Sequence, residues 1–323
     1  MAERTPLRQA SLRMFRECLK LKRGERVAVV DDGAQPAIAK AMLEAAKELG
    51  GKPQLVKIRS GREASSPIPE ASKILLQSNV IAAPTRSSIT HSLETTEARK
   101  AHGSRVASLP GVTEEMFIKA MSGDFEKVRK FTRTLAKYLE KPRSIWIRSV
   151  NGTNVKLNVQ GRPWIVDDGD ISKPGAVSNI PFGELYCAPR ETVGQGEISA
   201  DWWWEKIKPS TRAKLYLRNG RISGWNPPAA PLVRALQAAG TCGFVIGEFG
   251  FGTNPEHKVP IGNILYDEKI FGTAHVAFGM NTSFGGKNEC KIHEDVMLLK
   301  PTVYVDEKII LEKGVYVPKE LKL

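Results

Sequence analysis

The sequence predicts an α/β N-terminal domain on a parallel, doubly wound sheet, followed by a β-rich α+β domain. Three observations carry that expectation. Up to about residue 141, short apolar strand signals alternate with amphipathic helices, the rhythm that builds parallel sheets. Beyond Lys141-Pro142 the texture changes to short strand runs joined by Asn151-Gly152 and Asn219-Gly220, which is hairpin chemistry. The 323 residues suffice for one large or two medium cores. The expected domains are residues 1–141 and 142–323.

Residues 7–21 place Leu7, Leu12, Met14, Phe15, Cys18, Leu19 and Leu21 at helical spacing, and Gly24 ends the run. Glu25 to Asp32 reads as a short buried strand ending in acids, Ala37 to Leu49 as an Ala-rich helix closed by Gly50-Gly51, and Gln54 to Ile58 as the next strand. The turn Asp31-Asp32-Gly33 has one glycine and two acids, which argues against a pyrophosphate site. After a helix near Ser72–Gln77, Val80 to Ala83 is a third strand, followed by a hydroxyl-rich loop that contains His91. Doubly wound folds put ligand-facing loops at such positions, so His91 is a candidate substrate contact. Helix Thr95–His102, strand Arg105–Leu109, a helix start capped by Thr113 and an amphipathic helix Phe125–Leu139 complete the first half. In the second half, strands are expected at 144–150, 154–160, 212–218, 244–247, 274–278 and 302–311, with one clear helix at 231–239.

The formal charge is +13. Residues 1–140 hold 25 Lys+Arg against 16 Asp+Glu, and the remainder 23 against 19. The excess is thinly spread, with no basic run of five and no basic-aromatic stripe, so specific nucleic-acid binding is not expected. No apolar run approaches the roughly 18 residues of a membrane span, and the charged N-terminus lacks a secretion h-region; the expectation is a cytoplasmic protein without a membrane partner. Cys18, Cys187, Cys242 and Cys290 form no C-x-x-C pair and are expected to be reduced. Asp167-Asp168-Gly169-Asp170 lacks the remaining ligands of a calcium loop and reads as a solvated turn. Three adjacent tryptophans, Trp202 to Trp204, cannot all face one core, which points to an interface and a homodimer.

The chemistry concentrates between Gly247 and Met297. His293 and Asp295 are two apart on a strand, so both point to one face while Glu294 turns away. His275 and Glu248 lie in apolar, strand-forming surroundings, where a lone carboxylate is costly. Together they make an N/O donor set suited to zinc, manganese, cobalt or iron(II).

Four motifs occur in order: Asn179-Ile180-Pro181-Phe182-Gly183-Glu184; Gly247-Glu248 with Gly252-x-Asn254; His275-Val276-Ala277-Phe278-Gly279; and Ile292-His293-Glu294-Asp295. This series resembles the aminopeptidase T family of metallopeptidases. The resemblance implies that Glu184, Glu248, His275, His293 and Asp295 hold one or two Zn, Co or Mn ions. With Glu184 and Glu248 as catalytic carboxylates, the ions would activate a water against a small peptide or related amide. Met280-Asn281-Thr282-Ser283 stand where a metal-near tyrosine is expected in that family.

The last H-x-D pair is also similar to the 2,5-dihydroxypyridine dioxygenases, which use iron(II). His275, His293 and Asp295 supply a two-histidine, one-carboxylate set for that alternative. A histidine stands in that family at the position of Glu248 and a serine at that of His275, so the donors favour hydrolysis as the main expectation. The third alternative is a non-catalytic binding protein with a degenerate site, which would hold no stoichiometric metal.

Overall fold

The computed structural model describes residues 5–62, 66–203 and 206–322. The chain forms two compact units: residues up to Phe125 together with Asp168–Phe182, and Glu126–Asp167 together with Gly183–Leu323. The amphipathic helix Phe125–Tyr138, read from sequence as the end of the first domain, thus lies almost wholly in the second unit, and a short later segment returns to the first.

The first unit holds a five-stranded, wholly parallel sheet in the order Lys52–Lys57, Arg26–Asp31, Val80–Ala83, Arg105–Ser108, Val177–Asn179. The three central strands are almost entirely buried, as expected of parallel strands covered on both faces. The fifth strand, with no sequence expectation, is supplied by the returning segment.

The second unit has two antiparallel sheets. One is eight-stranded and contains both expected Asn-Gly hairpins: Ser144–Arg148 pairs with Asn154–Asn158, and Ala213–Arg218 with Arg221–Trp225. Asn219 and Gly220 both have positive φ, 51° and 70°, the conformation a tight two-residue hairpin turn demands. The other sheet runs His293–Leu298, Ala274–Gly279, Ile246–Gly252, Glu184–Cys187, Trp164–Asp167. The two sheets and the helix Phe125–Tyr138 share one apolar core, to which Ile147, Val155, Phe249, Val276, Val296, Phe131 and Leu135 contribute.

The cysteine and acidic-turn expectations change. Cys242 and Cys290 form a disulfide across 48 residues, because their segments are brought within 5.5 Å Cα to Cα, a proximity that spacing along the chain does not reveal. Trp203 is buried and Trp202 half-buried, with Trp202 bridging to Met297; Trp204 lies outside the described residues. Asp167 and Asp168 are buried rather than solvated, since Asp167 ends a strand of the second sheet. Among the described residues, no helix is long and apolar enough to cross a membrane.

Candidate metal centre

The five-stranded antiparallel sheet sorts its residues by strict alternation. Phe249, Phe251, Val276, Phe278, Val296 and Leu298 face the core. The opposite face carries the polar set. His275 pairs with Gly250, Asp295 with Ala277, His293 with Gly279, and Glu184 with both Gly252 and Asp167. Glu248 joins that face through a bulge: Ile246 pairs with Phe278 and Glu248 with Ala277, leaving Gly247 as the extra residue. Without the bulge, Ile246 and Glu248, two apart, would point the same way; with it, Ile246 enters the core and Glu248 the site.

Glycine clears the space. A Cβ on Gly250 would lie 2.1 Å from His275 Nε2, and one on Gly252 would lie 1.9 Å from the Ile270 carbonyl. The imidazole therefore occupies the volume a side chain at 250 would need.

The resulting cluster has two overlapping groups of three donors, Glu184/Glu248/His275 and Glu248/His293/Asp295, each with its donor atoms within 4.8 Å of one another. His275 Nε2 is 3.1 Å from Glu248 Oε1 and 3.5 Å from Glu184 Oε2. His293 Nε2 is 3.4 Å from Glu248 Oε2 and 3.5 Å from Asp295 Oδ1. Its Nδ1 donates to the Met280 carbonyl at 2.7 Å, which orients the ring and leaves Nε2 toward the carboxylates, as is usual for ligating histidines. Glu294, on the other face, accepts from Trp203 Nε1 at 2.9 Å.

Sequence reasoning missed Lys269, Glu268 and Asp167. Lys269 is wholly buried, donates to Glu184 Oε1 at 2.6 Å and to Glu268, and lies 3.9 Å from Asp167. The available signal was a Glu268-Lys269 pair between Leu265-Tyr266 and Ile270-Phe271, since charges in apolar surroundings are seldom left unpaired. Glu184, at the end of the Asn179–Glu184 motif, begins a strand. His91 belongs to the other unit, on the loop between Val80–Ala83 and the helix Leu93–His102, and is not a member of the donor cluster.

The electrostatics follow from burial and crowding. Burial pulls the His275 imidazole down, but the Glu248 hydrogen bond and the charges of Glu184 and Glu248 outweigh it and lift it to about 9. His293 is raised in the same way, with Asp295 its strongest partner. Burial pushes Glu248 up, yet hydrogen bonds from both imidazoles hold it down at about 2. Burial lifts Glu268 to about 8 against the pull of Lys269. Burial also penalises the Lys269 ammonium, but Glu184, Glu268 and Asp167 more than compensate and keep it protonated.

A cation fits this donor set. Glu184 Oε2 and Asp295 Oδ1 are buried without a hydrogen-bond partner, an expensive state for carboxylate oxygens. Two imidazoles and several carboxylates in one small volume are the hard-to-borderline donors that zinc, manganese or iron(II) take.

A family model described as NicX, 2,5-dihydroxypyridine 5,6-dioxygenase, matches residues 7–318. The chain belongs to this family. The 2,5-dihydroxypyridine 5,6-dioxygenase of Pseudomonas putida KT2440 is 25% identical over 199 residues. That alignment covers 56% of this chain and 57% of the relative, so it spans little more than half the length of the curated protein it matches. The solved 2,5-dihydroxypyridine dioxygenase of the same organism superposes with a TM-score of 0.86 at 20% identity, covering 98% of both chains. Wild-type AmpT from Thermus thermophilus superposes at 0.70 and 15% identity, covering 97% of this chain and 99% of that one.

Membership of the NicX family overturns the main sequence expectation. The fold likeness to AmpT stands, but assignment to the aminopeptidase T family, and with it hydrolase, aminopeptidase and protease activity, is not supported. The reason is chemical. The same carboxylates and imidazoles can hold a divalent ion for hydrolysis or for oxygen chemistry, so the donors do not select the reaction.

Proposed function

We propose that this NicX-family chain is an iron(II)-dependent, ring-cleaving dioxygenase acting on a dihydroxylated pyridine or a closely related small aromatic diol. The observation that supports the reading is the family match over residues 7–318. His275, His293 and Asp295 would hold the ion as two imidazoles and one carboxylate, with Glu248 lying between the two imidazoles. Iron(II), when bound, supplies the one-electron chemistry that ground-state dioxygen requires.

The chain's own residues do the rest. Met280 holds the His293 ring in register through its carbonyl. The core face beneath, with Phe249, Phe251 and Phe278 fully buried, makes the floor of the site rigid and dry, which strengthens each electrostatic contact above it. Lys269 pins Glu184 and Glu268.

Anaerobically purified protein, loaded with iron(II) and given 2,5-dihydroxypyridine, should consume oxygen and lose the ring absorbance together. Oxygen uptake no greater than that of an Asp295→Ala variant would refute the assignment.

A further inference from the structure

A cleft in the second unit gathers cations that the metal centre does not use. Three connections border it: the turn between the strands Asn154–Asn158 and Trp164–Asp167, the turn between Glu184–Cys187 and Gly194–Ala200, and the segment that leads from Ala274–Gly279 into His293–Leu298. With Arg221 they enclose about 630 Å³, within the roughly 300–1,000 Å³ of small-molecule sites. Arg162, Arg190, Arg221 and Lys287 line the cleft, and among the described residues Glu191 is its only acid. Glu191 is already committed: it pairs with Arg162, and it accepts from the Lys287 backbone N–H at 2.6 Å and from Asn281 Nδ2 at 3.1 Å. Burial pushes its carboxyl up, but N–H bonds from its own backbone and from Lys287, with the Arg162 charge, hold it below the usual range. Arg190 and Arg221 are exposed and each is anchored by one N–H. Arg190 Nε donates to the Gln160 carbonyl and Arg221 Nη1 to the Thr241 carbonyl, both at 3.0 Å. Each therefore keeps one pair of donors free, Nη1 with Nη2 on Arg190 and Nε with Nη2 on Arg221. Neither these nor the Lys287 ammonium has a carboxylate partner among the described residues. The walls are fixed. A Cβ on Gly220 would lie 2.1 Å from the Glu191 carbonyl oxygen, so hairpin and turn touch backbone to backbone, and Asn288 Nδ2 donates to the carbonyls of Cys242 and Gly279.

We propose that this cleft is a second ligand site, for a small organic dianion with two carboxylates on a short carbon frame, held by the guanidinium groups of Arg190 and Arg221 with Lys287 as a third charge. Like charges gathered around one concavity repel each other and draw in an anion. The class of anion follows from the donors and the space. A guanidinium fork matches the two oxygens of a carboxylate, and two forks without a carboxylate stand on different elements, one for each end of a diacid. Val193 and Val245 also line the cleft, which gives the carbon frame an apolar contact that a bare inorganic anion would leave empty. None of these residues belongs to the donor groups of the metal centre, so the ligand is independent of the reaction proposed there.

The test is calorimetric titration of the full chain with malonate, succinate and glutarate at about 0.15 M salt, where exposed charges are screened beyond about 8 Å. At least one of the three should bind at one per chain with a Kd below about 1 mM. Acetate and inorganic phosphate, which cannot reach both guanidiniums, should bind at least about 10-fold more weakly, as should the neutral succinamide. Arg190→Gln and Arg221→Gln should each weaken the best diacid by about 10-fold or more, the effect of losing a charged hydrogen-bonding partner, and the double variant should abolish binding. Both side chains are exposed, so the variants should keep the wild-type melting temperature, which checks their fold. No saturable binding of any diacid, or a folded double variant with wild-type affinity, would overturn the inference. Phosphate, acetate or succinamide binding as tightly as the best diacid would do the same, marking an adventitious ion or additive only.

Discussion

Gly250 offers the sharpest test of how the site is built. Alanine there would place a Cβ 2.1 Å from His275 Nε2 and 2.3 Å from Cε1, whereas ordinary van der Waals contact begins near 3.4 Å. The ring must retreat by about 1.3 Å, the difference between 3.4 and 2.1 Å, within a fully buried environment. Overpacking of this kind costs about 1–3 kcal/mol, and misplacing a reacting group by 1 Å can cost about 10²-fold in rate. Because His275 would leave Glu248, metal affinity should fall by at least about 10- to 100-fold, the range seen when a ligand's support is lost. Calorimetric Mn²⁺ titration and thermal denaturation of Gly250→Ala check both effects. Gly224→Ala is the control: its Cβ would meet nothing nearer than 3.4 Å, and it should stay within about 0.5 kcal/mol of wild type. A Gly250→Ala protein with unchanged metal affinity and unchanged melting temperature would refute the packing argument.

Four further outcomes follow. Alternation on the strand His293–Leu298 predicts that Asp295→Asn loses metal, whereas Glu294→Gln, which touches Trp203 instead, keeps it; elemental analysis of the two variants compares them directly. The metal-free protein should lose stability as pH rises from 6.5 through about 9. His275 is raised to about 9 from its usual 6.5, so its contribution is complete below 6.5 and gone above 9, no more than about 3 kcal/mol in all. Metal binding has the opposite sense, since the imidazoles must be neutral: Mn²⁺ affinity should climb over the same interval with proton release, visible as a buffer-dependent binding enthalpy. Cys290→Ala should lower stability by about 2–4 kcal/mol under oxidising conditions, the cost of opening a long covalent loop, and a denaturant midpoint unmoved by the substitution would count against the bond.

Much of this was written locally. The alternation of strand and helix up to Tyr138, the two Asn-Gly hairpins and the shared face of His293 and Asp295 each depend on residues a few positions apart, where periodicity and turn chemistry act directly. Glu248 and His275 stood out because charged or imidazole side chains interrupt apolar strands. What neighbours along the chain could not settle was anything decided by meeting across it. Lys269 reaches Glu184 from 85 residues away, Cys242 finds Cys290, and the return of Asp168–Phe182 to the first sheet follows no local signal. The reaction itself was misread for a related reason: donor atoms are a short-range feature shared by different chemistries, whereas the family pattern over residues 7–318 is spread along the whole chain. Sequence alone determined which side chains could serve a cation. Only the folded sheet, with its bulge at Gly247 and its bare Gly250, decided that they meet on one face.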